Sequence, residues 1–520
     1  MKQRKGISLI VLVITIIIMI IISGAIILTL TETNVIDQAE DATYAYNNKQ
    51  YFELITNEYL MLRVSDEAKG KTSLEVFEML KDKINKNAEN VEYITGTKAM
   101  NITIDNTYKY TAFYDGEVKY GKYAYLDIAD GSIQLKNTGY IQGTNPLVEY
   151  DGDYIITGTT TENTVKVMEE GTYNVTIKDL NIELKNGPAF SANAGNKETG
   201  TFVNVYIEGN NILIGGVGIH FTKAKPNIGE EKDGSTLTIQ GQGNLYAKAL
   251  GFGAAIGGGY QDGDVCNIII NDGNIKADGG NTAIGGALRT NVNNLIINGG
   301  NIEAVGNNRT GIGTYSNEVG HGNLRNLQIN GGNITAYGGE YGAAIGGDID
   351  AEIGEITITG GNLNLINNGY TANKQLSALG YGCTKIDISG GTINCENGYK
   401  VGIGTLDMEQ QNITVTGGTI LVNSAEKKFG SSPISSQCNV YLTELQLQNV
   451  TEEVEITSFT TSDNIDYGIK DMYTTAEGKI YVYLPTGERT ITIAAGDKEY
   501  TGTVVTGDAD ATESVVLAEK

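Results

Sequence analysis

At 520 residues, with 68 glycines, no tryptophan and a formal net charge of −25, the chain is long enough for two or three domains and is strongly acidic. Such a surface repels nucleic acid and anionic lipid headgroups and favours solubility. Only two histidines, His220 and His321, are present, which argues against a zinc site or a Ser-His-Asp centre. The four cysteines, Cys266, Cys383, Cys395 and Cys438, show neither metal-ligand spacing nor a disulfide framework.

Residues 7–30 carry no charge, and Ser8, Thr15, Ser23 and Thr29 are their only polar side chains. As a helix rising about 1.5 Å per residue they span ~36 Å, enough for a hydrocarbon core of about 30 Å. Lys2, Arg4 and Lys5 precede the run, and Thr31–Asp41 after it holds acids and no base. The positive-inside rule then leaves the N-terminus in the cytoplasm and the remainder outside. A cleaved secretory signal fits poorly, because the run is too long and no small-x-small site comes after it.

The stretch KQRKGISLIVLVITIIIMIII (2–22) resembles a type IV prepilin leader: a short basic segment, a glycine, then an apolar helix. The resemblance implies prepilin-peptidase processing between Gly6 and Ile7, membrane anchoring, and pilus subunits as further partners. The family's usual glutamate at the fifth mature position is Val11 here, which removes the carboxylate that registers subunits in a filament.

Asn34–Arg63 lacks Gly and Pro and repeats Phe52, Ile55, Tyr59 and Leu62 at helical spacing, so the first helix continues past the membrane. TSLE at 72–75 offers a capping box for a second helix running to about Asn87. ITID (102–105) and YKYTAFYDGEVKY (108–120), the latter with an Asp115-Gly116 turn, predict an antiparallel meander. A long helix leading into such a meander is similar to a small pilin-type head. Residues 126–168 read as a cap on the glycine-rich repeat region, whose first coil would otherwise present an open edge.

Between Asn271 and Val422 one phrase recurs six times: NDGNIKA, NGGNIEA, NGGNITA, TGGNLNL, SGGTINC and TGGTILV. Its second turn residues, Gly273, Gly300, Gly332, Gly361, Gly391 and Gly418, lie 27 to 32 residues apart, and a degenerate copy places Gly243 upstream. Apolar residues alternate on both sides of each turn, and a third strand signal (AAIGG, TAIGG, TGIGT, AAIGG, SALGY, VGIGT) precedes each pair. Three short strands per fixed period describe a parallel β-helix, right-handed by the crossover rule. Roughly eight coils at about 4.8 Å each make a rod about 40 Å long. The fold class is therefore mainly β: a right-handed parallel β-helix behind an N-terminal transmembrane, pilin-like helix with a small α+β head. Residues 441–520 alternate apolar and polar and predict a small C-terminal β domain, with LPTG (484–487) as a hairpin turn rather than a sortase signal. The boundaries are 1–30 leader and span, 31–125 head, 126–440 β-helix and 441–520 β-sandwich-like domain.

No pair of acids with a base recurs on neighbouring coils, so no catalytic residue is assigned and the chain reads as non-enzymatic. A polysaccharide lyase or hydrolase, or a minor pilin carrying the β-helix at a filament tip, is the alternative. The Asn column after the turn (Asn244, Asn274, Asn301, Asn333, Asn362) reads as a stacked amide ladder rather than a sugar site. Cys395 falls in the interior column as a small buried residue. Tyr260, Tyr315, Tyr337, Tyr341 and Tyr370 are the candidates for stacking on sugar rings. No cofactor is required; Asp262 with Asp264, or Asp348 with Asp350, are weak Ca²⁺ candidates, since the GGxGxDx repeat is missing. The repeat region, about 150–440, resembles Gram-positive surface proteins described as carbohydrate-binding-domain proteins or β-helix adhesins. That resemblance implies a cell-surface protein with a glycan or surface ligand.

Cleavage between Gly6 and Ile7 is expected, with the product a minor filament component because Val11 cannot pair with a neighbour's new amino terminus. N-terminal sequencing of surface fractions checks this: a terminus at Met1 refutes processing, and recovery as the main protein of sheared pili refutes the minor role.

Overall fold

The structure is a computed structural model. It describes residues 35–520 apart from 195–199, 224–234, 260–264, 289, 317–321, 349–350, 368–375, 397–400, 406–411, 416–417, 423–426, 430–439, 463–471, 486, 508–510 and 512. Among the described residues no helix is long and apolar enough to cross a membrane. The expected span at 7–30, with Gly6 and Ile7, lies outside them. The chain divides between Tyr123 and Ala124 into two compact units.

The first unit is α+β. Its long helix, Val35–Val64, buries Ile55, Tyr59 and Leu62, three members of the apolar stripe. The second helix, Ser73–Ile84, starts where the capping box predicts: the Thr72 side chain accepts from the Glu75 N–H, and Glu75 accepts from the Thr72 N–H. It ends three residues earlier than the spacing predicts. Val76, Phe77, Leu80 and Ile84 close over a four-stranded antiparallel sheet of Val91–Thr95, Ala99–Ile104, Tyr108–Phe113 and Val118–Tyr120. The first of these strands escapes the sequence pattern.

The second unit is a parallel β-helix of about eight turns. Strands before the glycine turn stack in register as Leu237, Ile268, Leu295, Leu327, Ile356, Ile386 and Ile413. Strands after the turn stack as Ala247, Ala277, Ala304, Ala336, Leu365, Cys395 and Val422. The third sheet stacks Ile219, Ile256, Ile284, Ile312, Ile345, Leu379 and Ile403. Apart from Val422, these columns form one continuous core. Cys395 is a buried thiol in it, and burial pushes its pKa up to about 12.

Glycine is needed at two corners. Gly300, Gly332 and Gly361 all sit at φ +94°, and a Cβ on Gly300 would lie 2.8 Å from the carbonyl oxygen of Gly273. In the degenerate copy the positive φ falls on Gly241 instead of Gly243. Four consecutive third-sheet strands, Ile256–Gly257, Ile284–Gly285, Ile312–Gly313 and Ile345–Gly346, are only two residues long, because a glycine such as Gly285 at φ +127° turns the chain away. A Cβ on Gly285 would meet the Gly313 carbonyl oxygen at 1.9 Å.

Both ends of the β-helix are closed by antiparallel strands. Gly139–Gln142 folds back on Ile133–Lys136 and extends the third sheet at its first coil. At the far end Thr419, on the last coil's second strand, pairs with Val482 of the strand Lys479–Pro485. Residues 440–520 build their own core around Leu445, Ile480, Ile491, Ile493, Tyr500 and Leu517. The segment 484–487 differs from the expected hairpin: Lys479–Pro485 pairs with Val440–Leu447, whereas Gly487–Ala495 pairs with Lys498–Thr506. The chain changes sheets there, and Gly487 at φ +131° permits the bend.

Ile297 is fully buried between Ile270 and Ile329. Ile297→Asp should cost more than about 4 kcal/mol, since a carboxylate at that height has no partner. Urea or thermal unfolding measures it, and unchanged stability would mean the inner and outer columns are inverted.

Candidate functional site

The outward positions of the second sheet form three parallel rows. The first is Asn244, Asn274, Asn301, Asn333, Asn362 and Thr392; the second, two residues on, is Tyr246, Lys276, Glu303, Thr335, Asn364 and Asn394. The third begins Lys248, Asp278, Val305, Tyr337. The register of the buried alternates, Ile275 on Ile302 on Ile334, imposes this alignment.

The first row is an amide ladder. Nδ2 of Asn244 donates to Oδ1 of Asn210 at 2.6 Å, Asn301 to Asn274 at 2.8 Å, Asn333 to Asn301 at 2.9 Å and Asn362 to Asn333 at 3.1 Å. A second ladder, Asn330 to Asn298 to Asn271, runs along the corner at 2.8 Å per step. At Asn301 and Asn333 the stack uses one N–H and one lone pair of the amide, and a second donor and acceptor remain on each. The ladder and a ligand site are therefore compatible uses of one column, and the sequence pattern, which sets one against the other, does not reveal this.

The first two rows line an open trough of about 590 Å³ between Asn210 and Thr335. It continues into a space of about 620 Å³ over Asn333, Asn362, Asn364, Thr392 and Asn394, walled by Glu453, Tyr473 and Tyr481. Charge in the trough is internally matched: Lys276 Nζ lies 2.7 Å from Glu303 Oε1, which holds the ammonium pKa above its ordinary value. Beside it Lys248 Nζ lies 2.8 Å from Asp278 Oδ2, and the Tyr246 hydroxyl donates to the same carboxylate at 3.1 Å. Burial, then the Asp278 charge, raises the Tyr246 pKa, so the phenol stays protonated at neutral pH.

The candidate tyrosines are placed quite differently from one another. Tyr315 is buried, 3% exposed, and its hydroxyl accepts from Asn281 Nδ2 at 2.8 Å. The Arg309 guanidinium lies 5.3 Å from the Tyr315 ring centre and 4.9 Å from that of Tyr341. Arg309 Nη1 donates to Asp348 Oδ2 at 2.9 Å, and Asp348 Oδ1 accepts from the Ser316 N–H at 3.1 Å. Asp348 is fully buried, and its two oxygens are engaged by the chain's own donors. This cluster ties the loops of adjacent coils together. Tyr337 is half-buried and lines a separate hollow with Glu303, Asn307 and Glu340. Tyr260, Tyr370, Asp262, Asp264 and Asp350 lie outside the described residues. Among the described residues no group of three His, Cys, Asp or Glu is placed to hold a metal ion.

Tyr246, Lys276, Glu303, Thr335, Asn364 and Asn394 are site residues that the sequence pattern does not single out. Their signal is nonetheless present: each lies two residues beyond the Asn column, so period-two alternation puts it on the same face. Tyr473 and Tyr481 carry no such signal. No family model, curated protein or solved structure matches the chain.

Burial alone would raise the Asp278 pKa, but hydrogen bonds from Lys248 and Asn307 outweigh it and hold it below 3.8. Its contribution to stability is complete above pH 3.8 and is lost as pH falls through the lower folded value. Asp278→Asn should therefore lower stability at neutral pH by less than about 1 kcal/mol and shrink the acid-induced loss. Urea unfolding at neutral pH and near pH 3 compares the two, and an unchanged pH slope would rule out this pair as a contributor.

Proposed function

We propose that this chain is a non-enzymatic surface protein whose β-helix binds a neutral glycan along the second-sheet trough. The trough itself carries this reading: stacked amides present a repeated N–H and C=O to a ligand, and Tyr246 supplies a ring face. Hydroxyl-rich, uncharged sugars suit such a surface, because Lys276 and Glu303 already neutralise one another. A net charge of −25 disfavours uronic acids, nucleic acid and anionic lipid. We take the coils as right-handed, the sense favoured by parallel crossovers. On this reading the apolar segment 7–30 holds the protein at the membrane or in a pilus after processing at Gly6, with the α+β unit as a pilin-like spacer. Of the loop tyrosines, Tyr337 remains a candidate contact, whereas Tyr315 and Tyr341 serve the Arg309 cluster.

A glycan array on residues 124–520 should retain neutral glycans over uronic-acid polymers. Tyr246→Ala and Lys276→Ala should each weaken retention about tenfold without lowering the melting temperature. Failure to retain any neutral glycan, or retention untouched by both variants, would refute the proposal.

A further inference from the structure

The trough is open along its early coils and walled at its last ones. From Asn210 to Thr335 its lining comes entirely from the β-helix. Over Asn362 and Thr392 the lining changes, because Glu453, Tyr473, Thr475 and Tyr481 of the C-terminal strands stand across it. Those strands are held there by the pairing of Thr419 with Val482, and the Tyr481 ring packs against the β-helix core. The Tyr473 ring, by contrast, is 37% exposed on that wall.

The ladder stops in the same place. The coil after Asn362 carries Thr392 in the Asn column, so no further amide is there to donate. Asn362 Oδ1 is consequently buried and accepts no hydrogen bond from the described residues. The Asn362 side chain lines a space of about 620 Å³, within the range of small-ligand pockets, beside an exposed tyrosine face.

Resting on the glycan reading, we infer that this walled end binds the terminal sugar of a neutral glycan, so that the protein recognises a chain end. The terminal ring lies against Tyr473, its hydroxyls meet the amides of Asn364 and Asn394 beside Thr392, and preceding sugars run back along the amide ladder. The Glu453 carboxylate at the wall disfavours an acidic terminal residue.

The test uses the full-length chain and titrates cellohexaose, xylohexaose, mannohexaose and the hexamer of galacturonic acid by calorimetry. For whichever neutral hexamer binds, two modified forms are compared: one reduced to the alditol at its reducing end, one methylated at its non-reducing terminal 4-hydroxyl. Blocking one of the two ends should weaken binding about tenfold or more, and which one identifies the end held. Tyr473→Ala should cause a similar loss at unchanged melting temperature, with the difference between intact and blocked oligomers abolished. If both blocked forms bind like the parent while Tyr246→Ala still weakens binding, end recognition is wrong and the trough reading survives. If none of the neutral hexamers binds, the glycan reading falls and this inference falls with it.

Discussion

Each coil must stack on its neighbour at the inter-strand spacing, and the whole second unit derives from that requirement. A side chain at a given height meets its own equivalent above and below, so interior columns accept only residues that pack against themselves, as Ile268, Leu295 and Leu327 do. The corners must clear the next corner at under 3 Å, which leaves no room for a Cβ at Gly300 or Gly285. In 241–243 the positive φ sits on Gly241 although Gly243 holds the usual corner position.

The same stacking makes the exterior chemically repetitive. An amide in one coil is bound to have an amide above it once the repeat holds, and ladder formation then orients the remaining N–H and C=O of each one. Uniform like charges in such a row would repel at every step, so the rows use neutral Asn and Thr or alternate Lys276 with Glu303. The excess negative charge of the chain is thereby kept out of the trough's long axis, and Glu453 enters only at its wall.

Arg309 engages three of the candidate residues within the chain itself. Tyr315, Tyr341 and Asp348 are drawn together by Arg309, and a guanidinium between two rings over a buried carboxylate fastens loops of neighbouring coils. Aromatic and acidic residues in such loops look like ligand contacts in one dimension because the cation that occupies them is up to 39 positions away.

The sequence by itself determined the β-helix, its period, its interior columns and the first-row asparagines, since each repeat restates the same local alternation and the same corner glycines. It also determined the head's helices, through the Thr72 capping box and the stripe of Ile55, Tyr59 and Leu62. Only the tertiary structure decided that the ladder and the trough are one surface, because that depends on which hydrogen-bonding capacity stacking leaves over. Only it decided that 484–487 crosses between sheets and that Tyr473 and Tyr481 stand over Asn362 and Thr392. Those contacts join residues outside the repeat to residues within it, and no periodicity relates the two; they depend on how the last coil is capped, a matter of packing between segments about 80 to 120 residues apart.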